Sequence, residues 1–450
     1  MTHAGLLACL AAAALLHCGA PRERDAGPLN LLLITLDTVR ADRLGCYGYG
    51  RGTTPVLDGL AARGTLFEQA SASSAVTPVS HASILTGLYP YHNRLRSLHG
   101  GAGYALPEEQ RTLAEMLAAR GFATAGFVSA FPVTRHYGLD QGFQTWDQDF
   151  QSSAGAVVSE RGVVDTGSAQ RRADATTDRA LAWLDGRTGG PFFAWVHYFD
   201  VHDPILLPPA EYLARFAPAS ASHADRLRAI YDAELAFVDA QIGRLLDRLG
   251  ELGLRDRTIV VVVGDHGQGL GDHGWWGHGI LYQEQLRVPM IVAGPPPARA
   301  QRVRTSVRTV DLLPTLAELL QLDPPEAPLD GESLGAFLAG SRQLPRMAYS
   351  ESINDLMAYD DSPRAGESLF AVNDGRWKLI AAREGGASKR IELFDLSADP
   401  TESRNLAEAR PDQAERLRRQ LEALAVFPVE GPQEPLPEEV RRRLESLGYL

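Results

Sequence analysis

Two apolar runs far apart in the chain constrain the fold more than any other feature. LLLITL (31–36) breaks at Asp37, and TIVVVV (258–263) leads through Gly264 to Asp265 and His266. Runs of Leu, Ile and Val without polar alternation make strands covered on both faces, as in a parallel sheet. In such sheets ligands gather in the crevice beyond the carboxyl ends of the strands. Two carboxylates and an imidazole delivered there need a counter-charge, which a metal ion supplies. The pattern predicts an α/β protein and a metal-dependent enzyme.

A chain of 450 residues has room for one large domain and a smaller one. The formal charge of −12 argues against a nucleic-acid partner. Lys378 and Lys389 are the only lysines. Residues 1–27 read as an export leader, with the apolar stretch LLACLAAAALL too short to span a membrane comfortably. Leu15-Leu16-His17-Cys18 resembles a bacterial lipoprotein box, so the expectation is an exported protein, periplasmic or attached to a membrane through a lipidated Cys18. Cys46 would then be the one remaining thiol, with no internal disulfide.

From Leu31 onward strand and helix patterns alternate. Helical spacing covers 107–120, 171–184 and 223–249, and strands are expected at 122–128, 191–198, 258–263 and the VPMIVA run. The polar stretches 151–166 and 354–367 read as loops that would carry specificity. After about Gly340 the character changes: LFAVNDGRWKLIAA is a hairpin turning at Asn373-Asp374-Gly375, KRIELFDL is a further strand, and helices follow at 408–424 and near the end. The expected architecture is a large domain (28–340) with a central, mostly parallel sheet flanked by helices, and a small C-terminal α+β domain (341–450) with an antiparallel sheet and a surface tail.

Between the first two strands lies SSAVTPVSHASILTGLYP. With Ser80 as N-cap, Thr77 sits just before a helix N-terminus, where free N–H groups and the macrodipole favour a bound oxyanion. A cation held by Asp37, Asp265 and His266 would activate the Thr77 hydroxyl and offset charge on a transferred phosphoryl group. The plainer alternative is that Thr77 and Ser80 only cap a helix.

At this point a resemblance emerges. NLLLITLDTVRADRLGCYG, TPVSHASILTGLYP, HYFDVHDP, GDHGQGLGDHGWWGHG with LYQEQLRVPMIV, and LFDLSADPTESRNLA occur in the order of the motifs of the sulfatase branch of the alkaline phosphatase superfamily. The resemblance implies that Asp37, Thr77, Asp265 and His266 are metal positions. It puts Thr77 where sulfatases carry the cysteine oxidised to formylglycine, and makes His202 the acid for the leaving group. It places His81 at an arginine position and His278 where many sulfatases have a sulfate-binding lysine.

The departures carry as much information. Thr77 cannot become formylglycine, and no lysine precedes Lys378 to grip sulfate. The second aspartate of the family's pair is Thr38, and AGFVSAFPVTRHYG replaces the L-G-K-W-H segment. A threonine sulfate ester has no exit by collapse to an aldehyde, whereas a phosphothreonine can be hydrolysed. The expectation is therefore a hydrolase of phosphate mono- or diesters on a sulfatase-like scaffold, acting on a small molecule, glycan or lipid ester. The rivals are a formylglycine-independent sulfatase, a head-group transferase and a non-catalytic anion binder. The cation is Mn, Zn, Ca or Mg. A second site built from Asp200, His202 and His278 stays open, against the alternative that Asp200 only hydrogen-bonds His202. Trp275 and Trp276 are expected to pack beneath the pocket.

Overall fold

The computed structural model describes residues 28–447 apart from 99–104, 151–155, 160–161, 166–168, 203–205, 217–221, 324, 326, 354–366, 385–386 and 425–437. The leader and Cys18 lie outside the described residues, as do most of the two loops expected to carry specificity. No helix among the described residues is long and apolar enough to cross a membrane.

Nine strands form the main sheet: β1 (Asn30–Leu36), β2 (Thr65–Ser71), β3 (Ala123–Phe127), β4 (Thr145–Asp147), β5 (Phe192–Tyr198), β6 (Thr258–Gly264), β7 (Arg287–Ala293), β8 (Gln301–Val303) and β9 (Val307–Arg308). Their order is β8-β2-β7-β6-β1-β5-β3-β4, with β9 also on β2. Every pairing is parallel except those of β7, which runs against both β2 and β6. The expected mostly parallel sheet is what the chain builds.

Helices α1 (Pro55–Arg63), α2 (Thr77–Thr86), α3 (Leu113–Ala119), α4 (Ala173–Asp185), α5 (His223–Glu251) and α6 (Leu312–Leu319) cover the two faces. Strand side chains alternate between faces, and both faces of β1 are buried. Leu31 and Leu33 join the core shared with α2, α3 and α6, while Leu32, Ile34 and Leu36 join the core shared with α1, α4 and α5. That two-sided burial is why β1 and β6 read as unbroken apolar runs.

The second sheet is antiparallel, in the order β10 (Ala348–Ser352), β11 (Ser368–Asn373), β12 (Trp377–Glu384) and β13 (Ala387–Asp395), with α7 (Pro411–Ala423) packed on it. The hairpin turning at Asn373-Asp374-Gly375 joins β11 to β12, and Gly375 has φ 95°. Two expectations need correction. Within 151–166, Ala156–Ser159 pairs antiparallel with Gly162–Asp165, because valine pairs on both sides favour a hairpin over a bare loop. The last helix, α8 (Glu438–Ser446), does more than rest on the surface: Val440, Leu444 and Leu447 enter the core of the large domain.

Candidate active site

Register brings the acids together. β1 pairs with both β5 and β6, so Leu36 lies between Tyr198 and Gly264. The next residues continue that alignment: Asp37 N–H donates to Tyr198 O (2.9 Å) and Asp265 N–H to Leu36 O (3.3 Å). Ligand atoms of Asp37, Asp265 and His266 lie within 4.8 Å of one another, the one such cluster of metal-ligating side chains among the described residues. All three are fully buried.

The donors fit a divalent cation. Asp37 Oδ1 and Asp265 Oδ2 receive no hydrogen bond. Asp265 Oδ1 accepts two backbone N–H groups, from Thr38 (3.1 Å) and His266 (2.6 Å). His266 donates Nδ1–H to Gly267 O (3.0 Å), which leaves the Nε2 lone pair for a ligand. Burial pushes both carboxyls well above the usual carboxylate range, and the Asp37 charge adds to the rise at Asp265. The Thr77 hydroxyl acts against this at Asp37 through a hydrogen bond. A divalent cation held between these oxygens and the imidazole would offset the cost of burying two carboxylates.

Thr77 points into this cluster, its Oγ1 3.2 Å from His266 Nε2. The helix begins one turn earlier than the sequence suggested. Val76 is the N-cap residue and Thr77 the first helical one, since Pro78 suits the first turn of a helix. Ser80 is therefore inside α2, and its Oγ donates to Asp265 O (2.7 Å). It ties the helix to the metal-ligand strand instead of capping it.

The remaining imidazoles sort by their hydrogen bonds. His278 donates Nδ1–H to Ala75 O (2.8 Å), so its Nε2 is an acceptor, and His202 Nε2 lies 3.0 Å away with its proton directed there. Burial, reinforced by the neighbouring histidines, holds His202 well below the ordinary histidine range. His81 donates Nδ1–H to Thr77 O (2.8 Å) and accepts from Thr35 Oγ1 (3.0 Å). With both nitrogens engaged under α2, His81 sits where it supports Thr77 and offers no nitrogen to a substrate. Trp275 is buried and donates Nε1–H to His278 O (3.3 Å), while Trp276 packs against the α5 face of the sheet.

Asp200 does not join His202 and His278 in a metal cluster. Its Oδ1 accepts the Ala173 N–H (2.9 Å) at the start of α4, and among the described residues it forms neither a second ligand set nor a bond to His202. Burial raises its pKa to about 7.

One residue escaped the sequence reading. His197 Nδ1 accepts the Ser129 N–H (3.3 Å), so its Nε2–H donates to Asp37 Oδ2 (3.2 Å) and orients that carboxylate. Burial, with the Arg171 charge, holds its pKa down to about 3. Its signal in the sequence was its place at the end of β5, in register with Thr35. Ser129, which lies in the segment replacing the family's lysine motif, thus fixes the histidine that orients Asp37, a candidate metal ligand.

Comparison with known proteins agrees with this architecture. The sulfatase family model matches residues 29–322, and the model of the N-sulphoglucosamine sulphohydrolase C-terminal region matches 271–426. Human arylsulfatase A is 28% identical over 89% of this chain and 90% of its own length. Delta 4,5-hexuronate-2-O-sulfatase of Bacteroides thetaiotaomicron is 26% identical over 87% of this chain and 86% of its own. The phosphonate monoester hydrolase of Agrobacterium radiobacter shares the fold, with TM-score 0.72 and 23% identity over 88% of this chain and 95% of that one.

Proposed function

The chain belongs to the sulfatase family of ester hydrolases, and from that premise we propose that it hydrolyses phosphate mono- or diesters with Thr77 as nucleophile. The observation that carries this reading is the Thr77 hydroxyl, 3.2 Å from His266 Nε2 and hydrogen-bonded to Asp37, in a large domain without lysine. Asp37, Asp265, His266 and Thr77 are the residues that would hold a divalent cation. When bound, the cation would ease ionisation of the Thr77 hydroxyl and offset charge on the transferred group.

Thr77 Oγ1 forms the new bond to phosphorus as the bond to the leaving oxygen breaks. The first turn of α2 directs its dipole at the oxygens of the transferred group. His202 is the acid for the departing oxygen: as imidazolium it gives up one N–H proton and returns to the neutral form whose Nε2–H rests on His278 Nε2, itself fixed by Ala75 O. Water then attacks the phosphothreonine, returning a proton to His202 and releasing Thr77. The enzyme is read as exported, periplasmic or attached to a membrane through a lipidated Cys18, with a small-molecule, glycan or lipid ester as substrate.

The second reading is a sulfatase working without formylglycine, favoured by relatives that are themselves named sulfatases. A panel of 4-nitrophenyl phosphate, bis(4-nitrophenyl) phosphate, a phenylphosphonate ester and 4-nitrophenyl sulfate decides between them. Phosphorus esters turn over faster in the first case, and the sulfate ester in the second. Thr77→Ala should lower kcat by about a thousandfold or more while the protein still takes up metal. Full activity in that variant would remove Thr77 as nucleophile, and inactivity of the wild type on every ester would favour an anion-binding relative.

A further inference from the structure

Thr38 is a β-branched residue at φ 54°, a conformation that such residues rarely adopt. Three hydrogen bonds hold it there. Its N–H donates to Asp265 Oδ1 (3.1 Å), its Oγ1 donates to Asp37 O (2.8 Å), and its carbonyl accepts the Tyr231 hydroxyl (2.8 Å). The same Tyr231 oxygen accepts the Arg40 N–H (2.9 Å). One buried hydroxyl on α5 therefore spans both ends of the turn that follows Asp37. Burial keeps that hydroxyl protonated, and so able to donate.

The conformation matters because φ at Thr38 sets how its N–H is turned relative to its own carbonyl, which Tyr231 anchors, so a change of φ against that anchor turns the N–H away. Together with the His266 N–H, it occupies Asp265 Oδ1 and leaves Oδ2 as the oxygen 3.4 Å from His266 Nε2. If Thr38 relaxed to negative φ, its N–H would leave Oδ1 and the carboxylate would be free to rotate. Strain of this kind persists only where surrounding contacts over-determine it. Of the three bonds, only that from Tyr231 comes from outside the two strand ends that carry the acids.

We propose that Tyr231 is a positioning residue for the metal centre: its hydroxyl clamps Thr38 in the left-handed conformation and thereby sets the affinity for the divalent cation. The proposal rests on the reading of Asp37, Asp265 and His266 as metal ligands, and it gives α5, which supplies none of the three, a part in their geometry.

Calorimetric titration of the metal-stripped protein with Mn²⁺, alongside thermal unfolding, tests it. Tyr231→Phe should bind Mn²⁺ about tenfold more weakly or worse. Thr38→Gly in that background should return the affinity to the wild-type value, because glycine takes φ 54° without the clamp. Unchanged binding in Tyr231→Phe overturns the inference, and so does a loss that Thr38→Gly fails to rescue, which would mark Tyr231 as a packing residue only. Should Tyr231→Phe not fold by itself, the double variant carries the test: folded with wild-type affinity it supports the clamp, and unfolded or weakly binding it overturns it. A wild-type protein that binds no divalent ion would instead bring down the metal reading beneath it.

Discussion

Five imidazoles crowd the catalytic end of the sheet, and what separates them is where each proton goes. His81 and His197 have ring centroids 5.0 Å apart, His266 and His278 4.6 Å, and His202 and His278 5.1 Å. His81 and His197 orient other groups, whereas His202 directs its Nε2 proton at His278 Nε2 and is the acid proposed for the leaving group. His202→Ala should therefore slow esters of poor leaving groups by about 10²–10⁴-fold and leave 4-nitrophenyl esters, whose leaving group needs no proton, much less affected. A leaving-group series on both proteins measures this, and equal slowing across the series would dismiss His202 as the acid. The clustering of Asp37, Thr77, Asp265 and His266 was legible because each stands at a strand end or helix start on one edge of the sheet. His197 was not. Its value lies in a hydrogen bond to Asp37 that depends on strand register, and a histidine in PFFAWVHY looks like core. Tyr231 and Thr38 were illegible for a similar reason, since no local pattern reports a positive φ.

Among elements, the apolar runs announced β1, β5 and β6 because burial on both faces removes alternation. They could not announce that β7 is antiparallel: VPMIVA is as buried as its neighbours, and direction depends on the path of 265–286, not on the strand's own residues. The junction of α1 and α5 was also hidden in the sequence. Asp239 of α5 accepts the Val56 and Leu57 N–H groups, both at 2.9 Å, and so caps the start of α1 from another element. Burial outweighs these two donors and raises its pKa to about 7. Unfolded, an aspartate titrates near 3.9. The folded state thus holds this proton more tightly, and the stability it contributes is fully present below about pH 4 and lost as pH climbs through 7. Asp239→Asn cannot ionise. Thermal unfolding should show the wild type losing more stability between pH 5 and pH 8 than the variant does. Parallel pH profiles for the two proteins would mean that Asp239 is not the group responsible.

At the scale of the whole molecule, the small domain is fastened beside the catalytic crevice by charges buried where they can reach one another. Lys378, on β12, lies 2.8 Å from Glu402 Oε1, and Glu402 Oε2 accepts the Gln283 N–H (2.6 Å) from the segment that follows His278. Nearby, His273 donates Nδ1–H to Glu284 (2.9 Å) and Nε2–H to Glu402 O (3.2 Å), so its ring carries a proton on each nitrogen. Burial opposes that charge, but Glu284 outweighs it and the pKa rises. The sequence singled out Lys378 only as one of two lysines and the segment around Glu402 only as a small-domain signature. Their partnership needs the second sheet folded, which brings the segment after β13 back to β12. Burial pushes the Glu402 carboxyl up while Lys378 pulls it down, so removing the lysine leaves an acid with no compensating charge. Breaking a buried pair from one side costs about 3–5 kcal/mol, whereas replacing both partners is often close to neutral. Lys378→Met should accordingly lose stability on that order in urea unfolding, and Lys378→Met/Glu402→Gln should recover most of it. If the double variant were no more stable than the single one, the lysine would be acting through packing of its stem, and the ion pair would not be what fixes Glu402 for its bond from Gln283.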